Sequence, residues 1–140
     1  MEKIKSFFAS KSYGFYVTLC LIVLSIITAS LYAVNYKDFV AYMDWTAVIL
    51  ILVAVCLSIA MIVFKLGKFA PAVLAVGNFA GLLIYIQKIY GYVAVVMVGI
   101  DVNTFSAQFL VCTTFFALTS IISLVNVYLK QDKVNKVEEK

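Results

Sequence analysis

The chain has no histidine and no arginine, a single proline, a single tryptophan and only seven acidic residues among its 140. Without histidine it carries no side chain of near-neutral pKa for general acid-base work and no imidazole to complete a zinc site. Its basic surplus is lysine alone, giving a net charge of +4. Nucleic-acid interfaces usually show arginine on a basic folded face, so no nucleic-acid partner is expected. The three cysteines, Cys20, Cys56 and Cys112, fall in different apolar runs and match no metal spacing, which points to reduced thiols acting as small hydrophobes. Neither a phosphate-cradling glycine loop nor a Gly-x-Ser-x-Gly elbow is present, so neither an enzyme nor a cofactor is expected.

What is present is apolar surface. Hydrophobic residues make up 65% of the chain and charged residues 13%, against roughly 45 to 50% apolar in a soluble domain. The charges gather between apolar runs and do not alternate with them, which is the pattern of membrane spans and not of one large core. The expected fold is a single all-α integral membrane domain, a four-span helix bundle with spans at about 13–34, 45–64, 69–87 and 105–129. The first run is 22 residues, about 33 Å as a helix, which suits a hydrocarbon core near 30 Å. A secretory leader would have an apolar region of only about 7 to 15 residues and small residues before its cleavage site. Leu31 and Tyr32 stand there instead, so the run reads as a retained span.

The connections carry their own signals. Asp44 is placed to cap the second helix and Trp45 to anchor it at the interface. The turn at 65–68 contains Lys65, Gly67 and Lys68, and Pro71 follows in the first turn of the third helix, where its missing N–H costs nothing. Gln87 and Lys88 interrupt the next apolar run, and Gly91 and Gly99 bracket a β-branched stretch too short to span. Residues 88–104 therefore read as an outer apolar loop, with Asn103 or Thr104 capping the fourth helix. Residues 130–140 read as a charged tail.

Nine lysines, at positions 3, 5, 11, 65, 68, 130, 133, 136 and 140, fall on one side of this topology, against Lys37 and Lys88 on the other. The lysine-rich side should be cytoplasmic, with both termini there. The tyrosines and Trp45 cluster at or near span ends, as rings with a polar tip require at the headgroup level.

No charged residue lies within the four spans, and proton relays and voltage sensors need one. In size and span count the chain resembles the small multidrug-resistance transporters. It has no counterpart of their membrane-embedded glutamate, so the resemblance assigns no activity. The polar group at the middle of span three is Asn78. It shares a helical face with Ala70, Leu74, Gly77, Gly81 and Tyr85, and Gly77-x-x-x-Gly81 permits close helix approach. Ala70, Gly77, Asn78 and Gly81 are therefore the candidate packing or interface residues, either within the chain or as a dimer seam or solute path. Thr113, Thr114, Ser120 and Ser123 are candidates for a polar lining, although their hydroxyls can equally bond back to their own helix.

Two functional readings follow. One is a non-enzymatic accessory or scaffold subunit acting through helix contacts or the outer loop, in a bacterial-type cytoplasmic membrane. The other is an oligomeric transporter or channel for a neutral or apolar solute. The partners expected are the lipid bilayer and either a membrane protein or further copies of the chain. The topology is directly testable in a cysteine-free background: Ser6→Cys should be shielded from an impermeant thiol reagent in intact cells, and Asp38→Cys should be labelled. Labelling at position 6 without permeabilisation would overturn the lysine count.

Overall fold

The computed structural model describes residues 12–35, 44–99 and 105–131. Within them the apolar runs become four helices, α1 (Tyr13–Val34), α2 (Trp45–Val63), α3 (Ala70–Val98) and α4 (Ala107–Val127). All four are long and apolar enough to cross a membrane. A helix is the natural outcome for such runs, because it satisfies each backbone group inside its own segment where water is scarce. The leader-like first run is helical over the whole of its expected length.

The helices form a ring. Each packs on its two neighbours, α1 meets both α2 and α4, and the α1–α3 diagonal contact is slight. Paired residues show that neighbours run antiparallel. Gly77 meets Ala54 and Gly81 meets Ile51 between α3 and α2, while Thr18 pairs with Asn126 and Thr28 with Thr119 between α1 and α4. This is the up-down arrangement that short connections favour.

Local chemistry sets the ends. The Asp44 carboxylate accepts from the Thr46 N–H at 2.9 Å and from the Thr46 hydroxyl at 2.6 Å, capping α2. Its other oxygen pairs with Lys88 of α3 at 3.3 Å. The Thr46 hydroxyl first, then the Thr46 N–H, hold this carboxyl below its ordinary pKa, and Lys88 adds to the effect. A depressed carboxylate pKa means the cap contributes stability above the ordinary value and loses it as pH falls through the depressed one. After α2, the N–H of Leu66 bonds to the Met61 carbonyl at 2.8 Å across Lys65, whose φ is 61°. The left-handed position of this helix end is thus taken by Lys65 and not by Gly67. Pro71 lies in the first turn of α3, as its sequence position implies.

The outer loop expected at 88–104 is corrected. Helix α3 continues without a break through Gln87, Lys88 and Gly91 to Val98 and ends at Gly99, whose φ of 69° is left-handed. Once a helix is nucleated each further residue adds a hydrogen bond, and a valine costs only a fraction of a kcal/mol against alanine. That penalty is met by packing: Tyr92 lies against Phe105 and Phe109, with ring centroids 6.4 and 5.3 Å away. The cap of α4 is also reassigned. It is Ser106, whose hydroxyl accepts from the Phe109 N–H at 3.2 Å, while Asn103 and Thr104 lie outside the described residues. The lysine-bearing segment before residue 12, the connection at 36–43 and the tail beyond 131 lie outside them as well.

The tightest contact in the fold is α3 on α2. A Cβ built on Gly77 would fall onto the Ala54 methyl, and one on Gly81 would meet Ile51 Cγ1 and Cδ1 at 2.8 and 2.9 Å. The Ala54 methyl is fixed to its backbone, whereas the Ile51 side chain can change rotamer. Gly77→Ala should therefore cost more than Gly81→Ala, about 3 against about 1 kcal/mol on the scale of overpacking. Thermal unfolding in mild detergent would read the order, and equal stability of both variants with wild type would show that the two helices do not approach here.

Candidate functional site

Many of the side chains able to hydrogen-bond within the helices lie on the faces turned toward the bundle axis, while Ser30, Gln87, Gln108 and Thr114 are exposed. On α1 the buried residues Thr18, Ser25, Thr28 and Tyr32 recur at helical spacing, and on α4 Phe116, Thr119, Ser120, Ser123 and Asn126 do the same. Antiparallel packing brings these stripes level with one another. They form successive layers across the bundle.

The central layer is built on Asn78, only 2% exposed. Its Nδ2 donates to Ser25 of α1 at 2.9 Å and to Ser123 of α4 at 2.7 Å. One turn away, the Ser120 hydroxyl donates to the backbone carbonyl of Asn78 at 3.2 Å. One residue thereby ties three helices together. The next layer is a hydroxyl pair: Thr28 gives its proton to the Leu24 carbonyl at 2.9 Å, so Thr119, also at 2.9 Å, is the donor to Thr28.

Beyond this pair the axis is filled by aromatic rings. Tyr85 and Phe116 stack with centroids 4.5 Å apart, and Tyr32 stands edge-on to both at 5.5 and 5.4 Å. The Tyr85 hydroxyl lies 2.7 Å from Thr113, whose own proton goes to the Phe109 carbonyl at 2.8 Å, so Tyr85 donates. The Tyr32 hydroxyl accepts from the Asp44 N–H at 3.1 Å and so connects this layer to the cap of α2. Tyr32 and Tyr85 are thus core residues and not members of an interfacial belt. Above them Asn35 donates to Cys112 Sγ at 3.0 Å.

At the opposite end Asn126 Nδ2 donates to Thr18 at 2.8 Å, and the Thr18 hydroxyl faces both the Gly14 carbonyl, at 2.9 Å, and Gln131 Oε1, at 3.1 Å. The Ser12 N–H donates to the Gln131 carbonyl at 3.0 Å. The chain after α4 therefore folds back over the start of α1. It passes so close that a Cβ on Gly14 would meet the Lys130 carbonyl at 2.6 Å.

Ala70, Gly77, Asn78 and Gly81 all lie in the interior. Ala70, Gly77 and Gly81 are spent on α2: the Ala70 carbonyl accepts from the Ser58 hydroxyl at 3.2 Å, and the two glycines receive Ala54 and Ile51. In this structure the face packs on α2 within one chain. The lining candidates divide. Ser120 and Ser123 join the Asn78 layer and Thr113 the aromatic one, but Thr114 is exposed on the far side of α4. Its hydroxyl bonds back to the Leu110 carbonyl at 2.8 Å, and it borders a groove of about 210 Å³ with Leu110, Val111 and Phe115.

Sequence reasoning did not single out Thr18, Thr28, Thr119, Asn126 or Gln131. For the four within helices the signal was the recurrence of polar residues at steps of three, four or seven in otherwise apolar runs, whereas Gln131 lies beyond α4 and had no such signal. Among the described residues no three His, Cys, Asp or Glu side chains approach closely enough to hold a metal ion. The donors and acceptors assembled here are neutral, and what they do is hold helices in register. No protein-family model matches the chain, and searches of curated proteins and of solved structures find no match either.

A double-mutant cycle between Asn78→Leu and Ser123→Ala measures the central layer. Cross-helix hydrogen bonds in membranes average about 0.6 kcal/mol and reach about 1.7, and a coupling energy in that range is the expected outcome. Zero coupling would mean that the amide does not hold α4.

Proposed function

We propose that the protein is a multi-pass membrane component with its lysine-rich ends in the cytoplasm, acting as a non-enzymatic accessory or scaffold subunit. It docks a membrane-protein partner through the far end of the α3–α4 pair. The observation that carries this reading is the length of α3, which runs ten residues past the Asp44–Lys88 ion pair to Val98. At 29 residues it is about 43 Å long, some 13 Å more than a typical hydrocarbon core.

Tyr90, Met97 and Val98 on this extension are 73, 78 and 71% exposed. Mobile apolar side chains such as methionine, and rings with a polar tip such as tyrosine, are favoured at protein contacts. Inside the bundle the small residues, the hydroxyls and the Asn78 N–H groups are engaged between helices, whereas Tyr90 and Met97 on this extension are turned outward with contact chemistry to spare. The competing reading, a path for a neutral or apolar solute, would have to pass the Tyr32–Tyr85–Phe116 layer if it ran through one chain.

A photo-crosslinking residue placed at Tyr90 or Met97 in cells should yield one discrete adduct with a membrane protein. The same residue at Val125, exposed on the outer face of α4, should not. Adducts equal at all three positions, or none beyond lipid at any, would sink the docking reading.

A further inference from the structure

Asn78 is satisfied on one side only. Its Nδ2 serves Ser25 and Ser123, but Oδ1 is fully buried and accepts from no protein group. Turning the amide over does not repair this. Oδ1 would then face the two serine hydroxyls as an acceptor, and Nδ2, with two N–H groups, would take the place where Oδ1 finds no partner. In either orientation one end of a buried amide is open, at 2% exposure.

The pattern repeats one turn along α4, toward the end where Gln131 folds over α1. Asn126 is fully buried, donates through Nδ2 to Thr18, and leaves Oδ1 without a protein donor. Two asparagines in successive layers, each with its N–H on a hydroxyl and its carbonyl bare, share a cause.

An orphaned buried polar group is costly, and protein interiors meet that cost with ordered water that makes two to four hydrogen bonds to polar neighbours. We propose that Asn78 binds an internal water at the centre of the bundle, donating to Oδ1. Water fits the chemistry better than a cation. A cation would need several oxygens converging on one point, whereas the atom aimed at Ser25 and Ser123 is an N–H donor. Around this water the layer is a hydrated polar centre between α1, α3 and α4, and the aromatic layer of Tyr32, Tyr85 and Phe116 seals it on one side. The inference rests on no part of the docking reading.

The test uses the full chain in lipid bilayers with isotope-labelled asparagine, leucine and phenylalanine, and water-edited solid-state NMR. Polarisation from water should reach the Asn78 side chain several-fold faster than Leu74 or Phe116, which are at least as deeply buried. In Asn78→Leu the signal at position 78 should fall to the slow rate of Leu74. The proposal is overturned if wild-type Asn78 takes up polarisation no faster than Leu74 and Phe116. It is overturned equally if Asn126 is fast and Asn78 is not, because hydration would then stop at the bundle's end.

Discussion

Everything in the interior depends on how closely α3 lies on α2. The four helices are long and apolar enough to cross a membrane, and in a bilayer helices gain little hydrophobic energy from association, so that dispersion contacts and interhelical hydrogen bonds would have to hold them. Dispersion demands close approach, and Gly77 over Ala54 provides it. Asn78 follows Gly77 directly, about 100° further round the helix. Seating Gly77 on α2 therefore turns the amide toward the axis, where Ser25 and Ser123 meet it. The glycine decides the approach and the asparagine uses it.

The layers then divide the work. Hydrogen-bonded layers fix register, because a slip of one residue would strand donors away from water, each at about 1 to 3 kcal/mol. The aromatic layer supplies contact area, and ring pairs of this geometry add about 0.5 to 1.5 kcal/mol beyond it. The Asp44–Lys88 pair joins the start of α2 to α3 ten residues before the end of α3 and is partly exposed. Such pairs contribute little. Beyond Lys88, α3 continues to Val98, with Tyr92 packed on Phe105 and Phe109.

The first two helices, the Asp44 cap, the place of Pro71 and the buried face of Ala70, Gly77, Asn78 and Gly81 were legible in the sequence, because each rests on local chemistry. The length of α3 was not. Lys88, two glycines and a run of valines all argue locally against helix, and what outweighs them is Tyr92 packing on Phe105 and Phe109, a contact made only once α3 and α4 are side by side. Tyr32 and Tyr85 misled for a similar reason. A tyrosine near the end of a span reads as an interfacial anchor, and only the partner ring reveals it as core. Thr113 and Thr114 show the limit most plainly: adjacent hydroxyls of the same type stand about 100° apart on α4, one reaching Tyr85 and the other exposed, and composition cannot say which side is inside. The partners of Asn78 were hidden too, since their pairing is a property of the ring of helices and of no single segment.

The interior uses its small and polar residues on itself, and docking through the end of α3 is proposed on that basis. The foundation of that interior is the Gly77–Ala54 contact, which can be observed without any mutation. In bilayers, carbon–carbon correlation spectroscopy at short mixing time should show a cross-peak between Gly77 Cα and the Ala54 methyl as strong as cross-peaks within one helix. If those intrahelical cross-peaks are present and the Gly77–Ala54 cross-peak is missing, α3 does not seat on α2 and the layers built on that contact cannot stand as described.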